Sequence, residues 1–127
     1  MKQQLLIVDD NDMMRSFLSH YFSKHYDVQT ANNGQTAWSV LDGGFFPDLV
    51  LLDLNMPEYD GLALLKQLKN SVLFHDIPVI VLSSVSKSQE KIKCLHAGAV
   101  DYITKPFNPQ ELEARLQYHL RVNNVKA

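Results

Sequence analysis

The chain has 127 residues, 46% of them hydrophobic, and a formal net charge of −2; that is one domain's length and enough apolar material for a layered core. No basic excess marks a nucleic-acid or membrane-surface protein, and no apolar run approaches the roughly 20 residues of a membrane span. The single cysteine, Cys94, excludes an internal disulfide and suits a reducing compartment.

The start, MKQQLLIVDD, has no signal-peptide pattern, so a cytoplasmic location is expected. Residues 4–8 form a short apolar run that predicts strand β1, closed by Asp9 and Asp10. Asn11 or Asp12 can cap the next helix. Met14, Leu18 and Tyr21 recur at helical spacing and predict core positions on α1, residues 12–24. Residues 26–30 are short and partly polar, an edge strand β2. After Asn33-Gly34, α2 spans 35–42 with Ala37, Trp38 and Leu41 inward, and Gly43-Gly44 ends it.

Pro47 to Gly61 is the stretch on which the rest turns. Leu49 to Leu52 run apolar without alternation, as in a parallel strand buried on both faces. This predicts β3 over 48–53, ending on Asp53, with Gly61 resetting the backbone before α3 at 60–70. A second such run predicts β4 over 77–82, followed by Ser83 and Ser84. Helix α4 is expected over 87–98, with Ile92, Leu95 and Ala99 on its apolar side. Residues 100–104 give β5, followed by Lys105-Pro106-Phe107. Asn108 caps α5, whose buried stripe is Leu112, Leu116 and Leu120. The tail from Asn123 reads as polar and frayed.

Five βα units in strict alternation specify an α/β fold: a doubly wound (βα)5 arrangement of three layers, with helices on both faces of a five-stranded parallel sheet. Residues 1–127 make a single domain, with no second domain expected. All strand carboxyl ends share one edge, where open α/β sheets bind ligands. Asp9, Asp10, Asp53, Ser83 and Lys105 arrive there together. Singly, each has an ordinary reading: Asp53 as a turn cap, Asp9-Asp10 as acids at a helix start, Ser83 as a loop residue, Lys105 as a surface lysine. Jointly they are three carboxylates, a hydroxyl and an ammonium from four strands. Clustered carboxylates repel unless a cation is present, and carboxylates with a carbonyl and waters suit Mg2+. That donor set points to phosphoryl transfer onto a carboxylate, with Asp53 the central candidate and Lys105 and Ser83 stabilising the transferred group.

The motifs IVDD at 7–10, LLDLNMP at 51–57 with Gly61, LSS at 82–84 and KPF at 105–107 resemble the receiver domain of two-component response regulators. The resemblance covers essentially the whole chain. It implies a flavodoxin-like sheet ordered 2-1-3-4-5 and a signalling function. It assigns Asp53 as phosphoacceptor, and Asp9, Asp10, Asp53 and the Asn55 backbone carbonyl as Mg2+ ligands. It makes Ser83 and Tyr102 switch residues, Lys105 the phosphate-side cation, and Lys105–Pro106 a cis bond. It implies that Asp53 takes its phosphoryl group from a sensor histidine kinase or histidine phosphotransfer protein, and that Tyr102 then rotates inward and reshapes the α4–β5–α5 face. Apolar Val85 is expected to order water poorly and prolong the phosphorylated state. A homodimer through that face, with Asp101 pairing to Arg115 of a second copy, is a further implication; direct nucleic-acid binding and membrane binding are not. The chain is then not an enzyme, beyond catalysing its own phosphorylation and dephosphorylation.

Two readings from other classes compete. A haloacid-dehalogenase-like phosphatase would use Asp10 and Asp12 as a DxD pair, leaving Asp53 without a role. A flavodoxin-like flavin binder would need a glycine- and hydroxyl-rich loop after β1, where this chain has acids. The five histidines are scattered without ligand spacing.

Overall fold

The two uninterrupted apolar runs form the centre of the sheet: β3 (Leu49–Asp53) and β4 (Val79–Ser83) are buried at every position. This is a computed structural model that describes residues 2–55 and 60–126. Strand β1 (Gln4–Val8) lies between β3 and the edge strand β2 (Asp27–Ala31), and β5 (Asp101–Thr104) closes the other edge beside β4. All four pairings are parallel and the order is β2-β1-β3-β4-β5.

Alternation along each strand divides the core in two. Leu6, Val8, Val50, Leu52, Val79 and Val81 point to the layer of α2 (Gly34–Asp42), α3 (Asp60–Lys69) and α4 (Ser88–His96). Leu5, Ile7, Leu49, Leu51, Ile80 and Leu82 point to the layer of α1 (Asp12–Phe22) and α5 (Pro109–Lys126). Asparagines cap three helices: Asn11 accepts from Met14 N at 2.8 Å, Asn33 from Thr36 N at 2.7 Å and Asn108 from Glu111 N at 3.0 Å.

Several expectations are corrected. Helix α1 stops at Phe22, and Tyr26 stands outside β2, its ring edge-on to Phe22. Strand β4 starts after Pro78 and includes Ser83, which pairs with Thr104. Helix α4 presents Cys94 to the core while Ile92 and Leu95 are 52% and 46% exposed. The helix ends at His96, and Gly98, with φ of 111°, turns the chain before Ala99, so Ala99 carries no information about helical phase. Helix α5 continues to Lys126 instead of fraying at Asn123; the segment holds no proline or glycine to stop it. Gly61 lies inside α3, where a Cβ would come within 2.9 Å of the Asp53 carbonyl oxygen. Its role is close helix approach rather than a backbone reset. Met56 and Pro57 of the central motif lie outside the described residues.

Candidate functional site

Parallel pairing puts the carboxyl ends of β1, β3, β4 and β5 side by side. Leu54 N donates to Leu82 O at 2.8 Å and Lys105 N to Ser83 O at 2.7 Å, so the strand exits are fixed against one another. Asp9, Asp53 and Ser83 are the buried polar residues of the core, at 1%, 2% and 0% exposure. Asp10 is exposed at the rim. One carboxylate oxygen from each of Asp9, Asp10 and Asp53 lies within 4.8 Å of the others. The half-buried Lys105 brings its Nζ to 3.1 Å from Asp53 Oδ1 and 3.9 Å from Asp9 Oδ2, and its bond to Pro106 is cis, as expected.

The acids are not satisfied by protein alone. Asp9 Oδ1 accepts from Asn11 N at 2.9 Å and Asp53 Oδ1 from Asn55 N at 3.0 Å. Asp9 Oδ2 is buried with no hydrogen-bond partner. Burial pushes the Asp9 carboxyl up to about 6, and the Asp53 charge adds to this; the Asn11 amide and Lys105 pull the other way. A buried, unpartnered carboxylate oxygen facing two further carboxylates is the donor set of a small hard divalent cation.

Ser83 Oγ accepts from Val85 N at 3.1 Å, and Tyr102 Oη donates to Val85 O at 2.5 Å. Tyr102 is therefore half-buried and already turned inward in this structure, with burial raising its phenol above the usual range. The residues expected at the site are found at one sheet edge, with Tyr102 within β5, three residues before Lys105.

Two contributions escaped the sequence. Arg15 donates from Nη1 to Asp9 O at 2.9 Å and from Nη2 to Asp12 at 2.6 Å, bracing the turn after β1. Its i, i+3 spacing from Asp12 was a legible signal. That ion pair also holds the Asp12 carboxylate, 87% exposed, on the outside of α1, away from a DxD role with Asp10. The Asn55 side chain accepts from Ser84 N at 2.7 Å, joining the exits of β3 and β4. Nothing in the sequence signals that partner, 29 residues away.

The family model described as the response regulator receiver domain matches residues 5–117. The chemotaxis protein CheY1 of Helicobacter pylori is 37% identical over 123 residues, 95% of this chain and 99% of that protein. The alkaline phosphatase synthesis transcriptional regulatory protein PhoP of Bacillus subtilis is 34% identical over 128 aligned positions, covering all of this chain and 52% of the longer protein. Among solved structures, the beryllofluoride-activated N-terminal receiver domain of Klebsiella pneumoniae RstA is 34% identical, with a TM-score of 0.83 over 94% of this chain and 99% of that one. The phosphatase alternative finds no support among these matches.

Proposed function

We propose a function from one premise: the chain belongs to the response regulator receiver domain family. Asp53 accepts a phosphoryl group from the phosphohistidine of a sensor histidine kinase or a histidine phosphotransfer protein. An Asp53 carboxylate oxygen attacks phosphorus; the P–O bond forms, the P–N bond breaks, and the leaving imidazole takes up a proton. Lys105 Nζ and the Ser83 hydroxyl donate to the phosphoryl oxygens, where charge develops. Asp9, Asp10, Asp53 and the Asn55 carbonyl would hold Mg2+, which supplies charge compensation for those oxygens. The carrying observation is the buried Asp53 beside Lys105, with Asp9 Oδ2 left without a hydrogen bond.

The donor has a place to land. Met13 and Phe17 are 84% and 44% exposed; with Asn11, Met14 and Lys105 they line a cavity of about 430 Å3 beside the acids. An apolar helix face bearing the phosphohistidine fits there. Phosphorylation then draws Ser83 and Lys105 toward the new dianion, holds Tyr102 inward and reshapes the α4–β5–α5 face, which a partner or output domain reads. A symmetric dimer through that face would exchange the Asp101–Arg115 pair between copies. Asp101 is already held within the chain by Arg115 at 3.1 Å and by His119 at 3.0 Å. No helix among the described residues is long and apolar enough to cross a membrane, and a phosphohistidine donor goes with a cytoplasmic location.

Intact mass after incubation with a small phosphodonor and Mg2+ tests the reading. A gain of one phosphoryl group is expected, lost in Asp53→Asn and lost without Mg2+. Absence of any gain in the unmodified protein would overturn phosphoacceptance and leave the fold standing.

A further inference from the structure

Past the ends of β3 and β4 the sheet ladder has stopped, yet the two exits stay joined. Asn55 is exposed, but both its backbone and its side chain are engaged. Its N–H donates to Asp53 Oδ1 at 3.0 Å, and its Oδ1 accepts from Ser84 N at 2.7 Å. The next residue, Val85, is held on both sides, by Ser83 Oγ at its N–H and by Tyr102 Oη at its carbonyl. A path of hydrogen bonds therefore leads from the Asp53 carboxylate through Asn55 to Ser84, and, across the Ser84–Val85 peptide bond, from Val85 to the Tyr102 hydroxyl.

We propose that Asn55 is a positioning residue that latches the loop after β4 to the exit of β3, so that the state of Asp53 is passed to Tyr102 through the Asn55 side chain. The inference rests on Asp53 as the phosphoacceptor and adds how its state is transmitted. The first link is charge-assisted, since Asp53 Oδ1 is a carboxylate oxygen that also faces Lys105. Transfer of the phosphoryl group to Asp53, forming an acyl phosphate, removes the carboxylate's own charge and places a dianion beyond it. The Asn55 N–H bond weakens, and Lys105 is drawn outward. Residues 54–55 then shift, and the Asn55 side chain carries Ser84 with it. Val85 follows, since its neighbour's N–H is the anchored group, and the acceptor of the Tyr102 hydroxyl moves. Without the amide oxygen of Asn55 the two exits move independently.

The test uses the full chain, labelled with 15N and with 3-fluorotyrosine, as the unmodified protein and as Asn55→Ala and Asn55→Asp. Without ligand, loss of the acceptor in Asn55→Ala should move the Ser84 amide upfield and raise its hydrogen exchange at least tenfold. Asn55→Asp keeps an oxygen in place and should restore the Ser84 amide. With Mg2+ and beryllofluoride, the Tyr102 fluorine resonance, assigned through Tyr102→Phe, should shift in the unmodified protein and shift less than half as far in Asn55→Ala. Phosphoryl uptake by intact mass is read on the same samples. An unmodified protein that takes no phosphoryl group defeats the phosphoacceptor reading, and the transmission role falls with it. Normal uptake in Asn55→Ala with an undiminished Tyr102 shift overturns the latch alone. An unchanged Ser84 amide in Asn55→Ala does the same.

Discussion

Strand β3 has an aspartate at each end, and their surroundings are opposites. Asp48, just before the strand, accepts from Gln4 N at 2.7 Å, while its own N–H donates to Gln4 O at 2.7 Å. That closed pair ties β1 to β3. Asp53, the last residue of the same strand, faces Asp9, whose Oδ2 is buried without a hydrogen-bond partner. Two half-buried lysines, Lys69 and Lys105, repeat the contrast. Lys69 donates to Ile77 O at 2.6 Å and His75 O at 3.2 Å, its ammonium spent on carbonyls that close the turn before β4. Lys105 points at two carboxylates, 3.1 and 3.9 Å away. Residue type does not separate structure from function in this sheet. A completed partner set marks the amino-terminal edge as structural, and an incomplete one marks the carboxyl-terminal edge as a site.

The sharpest way to break that contrast is to remove each lysine. Lys105→Ala deletes a donor aimed at the transferred group and should slow phosphoryl uptake about 100-fold. Lys69→Ala should leave uptake within about twofold and instead lower stability by about 2 kcal/mol, since the carbonyls of buried Ile77 and exposed His75 both lose a charged donor. Time courses of intact mass and urea unfolding read the two effects separately. A folded Lys69→Ala protein that phosphorylates as slowly as Lys105→Ala would erase the distinction.

The incomplete edge should also carry a pH signature. Asp9 ionises at its ordinary 3.8 in the unfolded chain but only near 6 in the fold, chiefly through burial. Between those values the folded state binds more protons than the unfolded state, so stability falls as pH rises through the window. The loss is complete above about pH 6 and absent below about pH 4. Its size is of order 3 kcal/mol. Urea unfolding from pH 4 to 7 without divalent cations should show this slope. Asp9→Asn should flatten it, and Mg2+ should stabilise the unmodified protein more at pH 7 than at pH 5. Stability that climbs with pH across the window would mean that Asp9 is compensated after all.

These contrasts bear on what a sequence can disclose. Continuous apolar runs ending in Asp53 and Ser83 placed the central strands and their exits, because burial on both faces forbids polar alternation. Strict βα alternation then brought Asp9, Asp10, Ser83 and Lys105 to the same edge. The phase of α4 was not legible. Ile92 and Leu95 look like an inward pair at helical spacing, but Cys94 is the residue that packs, about 200° around the helix from Ile92. Nor were partners distant in sequence legible: Asp48 with Gln4, Asn55 with Ser84, or Asp101 with Arg115 within the same chain. A side chain's role there depends on which donors the tertiary fold brings near, and no local pattern encodes that.

The smallest effect lies at the closed edge and probes why it is closed. Gly98 has φ 111°, and a Cβ there would stand 2.7 Å from Lys69 Cγ and 3.1 Å from its Cδ. The lysine stem thus packs against the turn after α4 while its ammonium closes the turn before β4. Gly98→Ala should cost about 1–2 kcal/mol from backbone strain and displacement of the stem. In a Lys69→Ala background the steric part disappears and the strain remains. The double-mutant cycle should therefore show a coupling of about 0.5–1 kcal/mol, with the double variant more stable than the sum of the single losses. Phosphoryl uptake should be unchanged throughout. Strict additivity would mean that Lys69 closes its turn without help from the packing on Gly98, leaving the carbonyl bonds as its whole contribution.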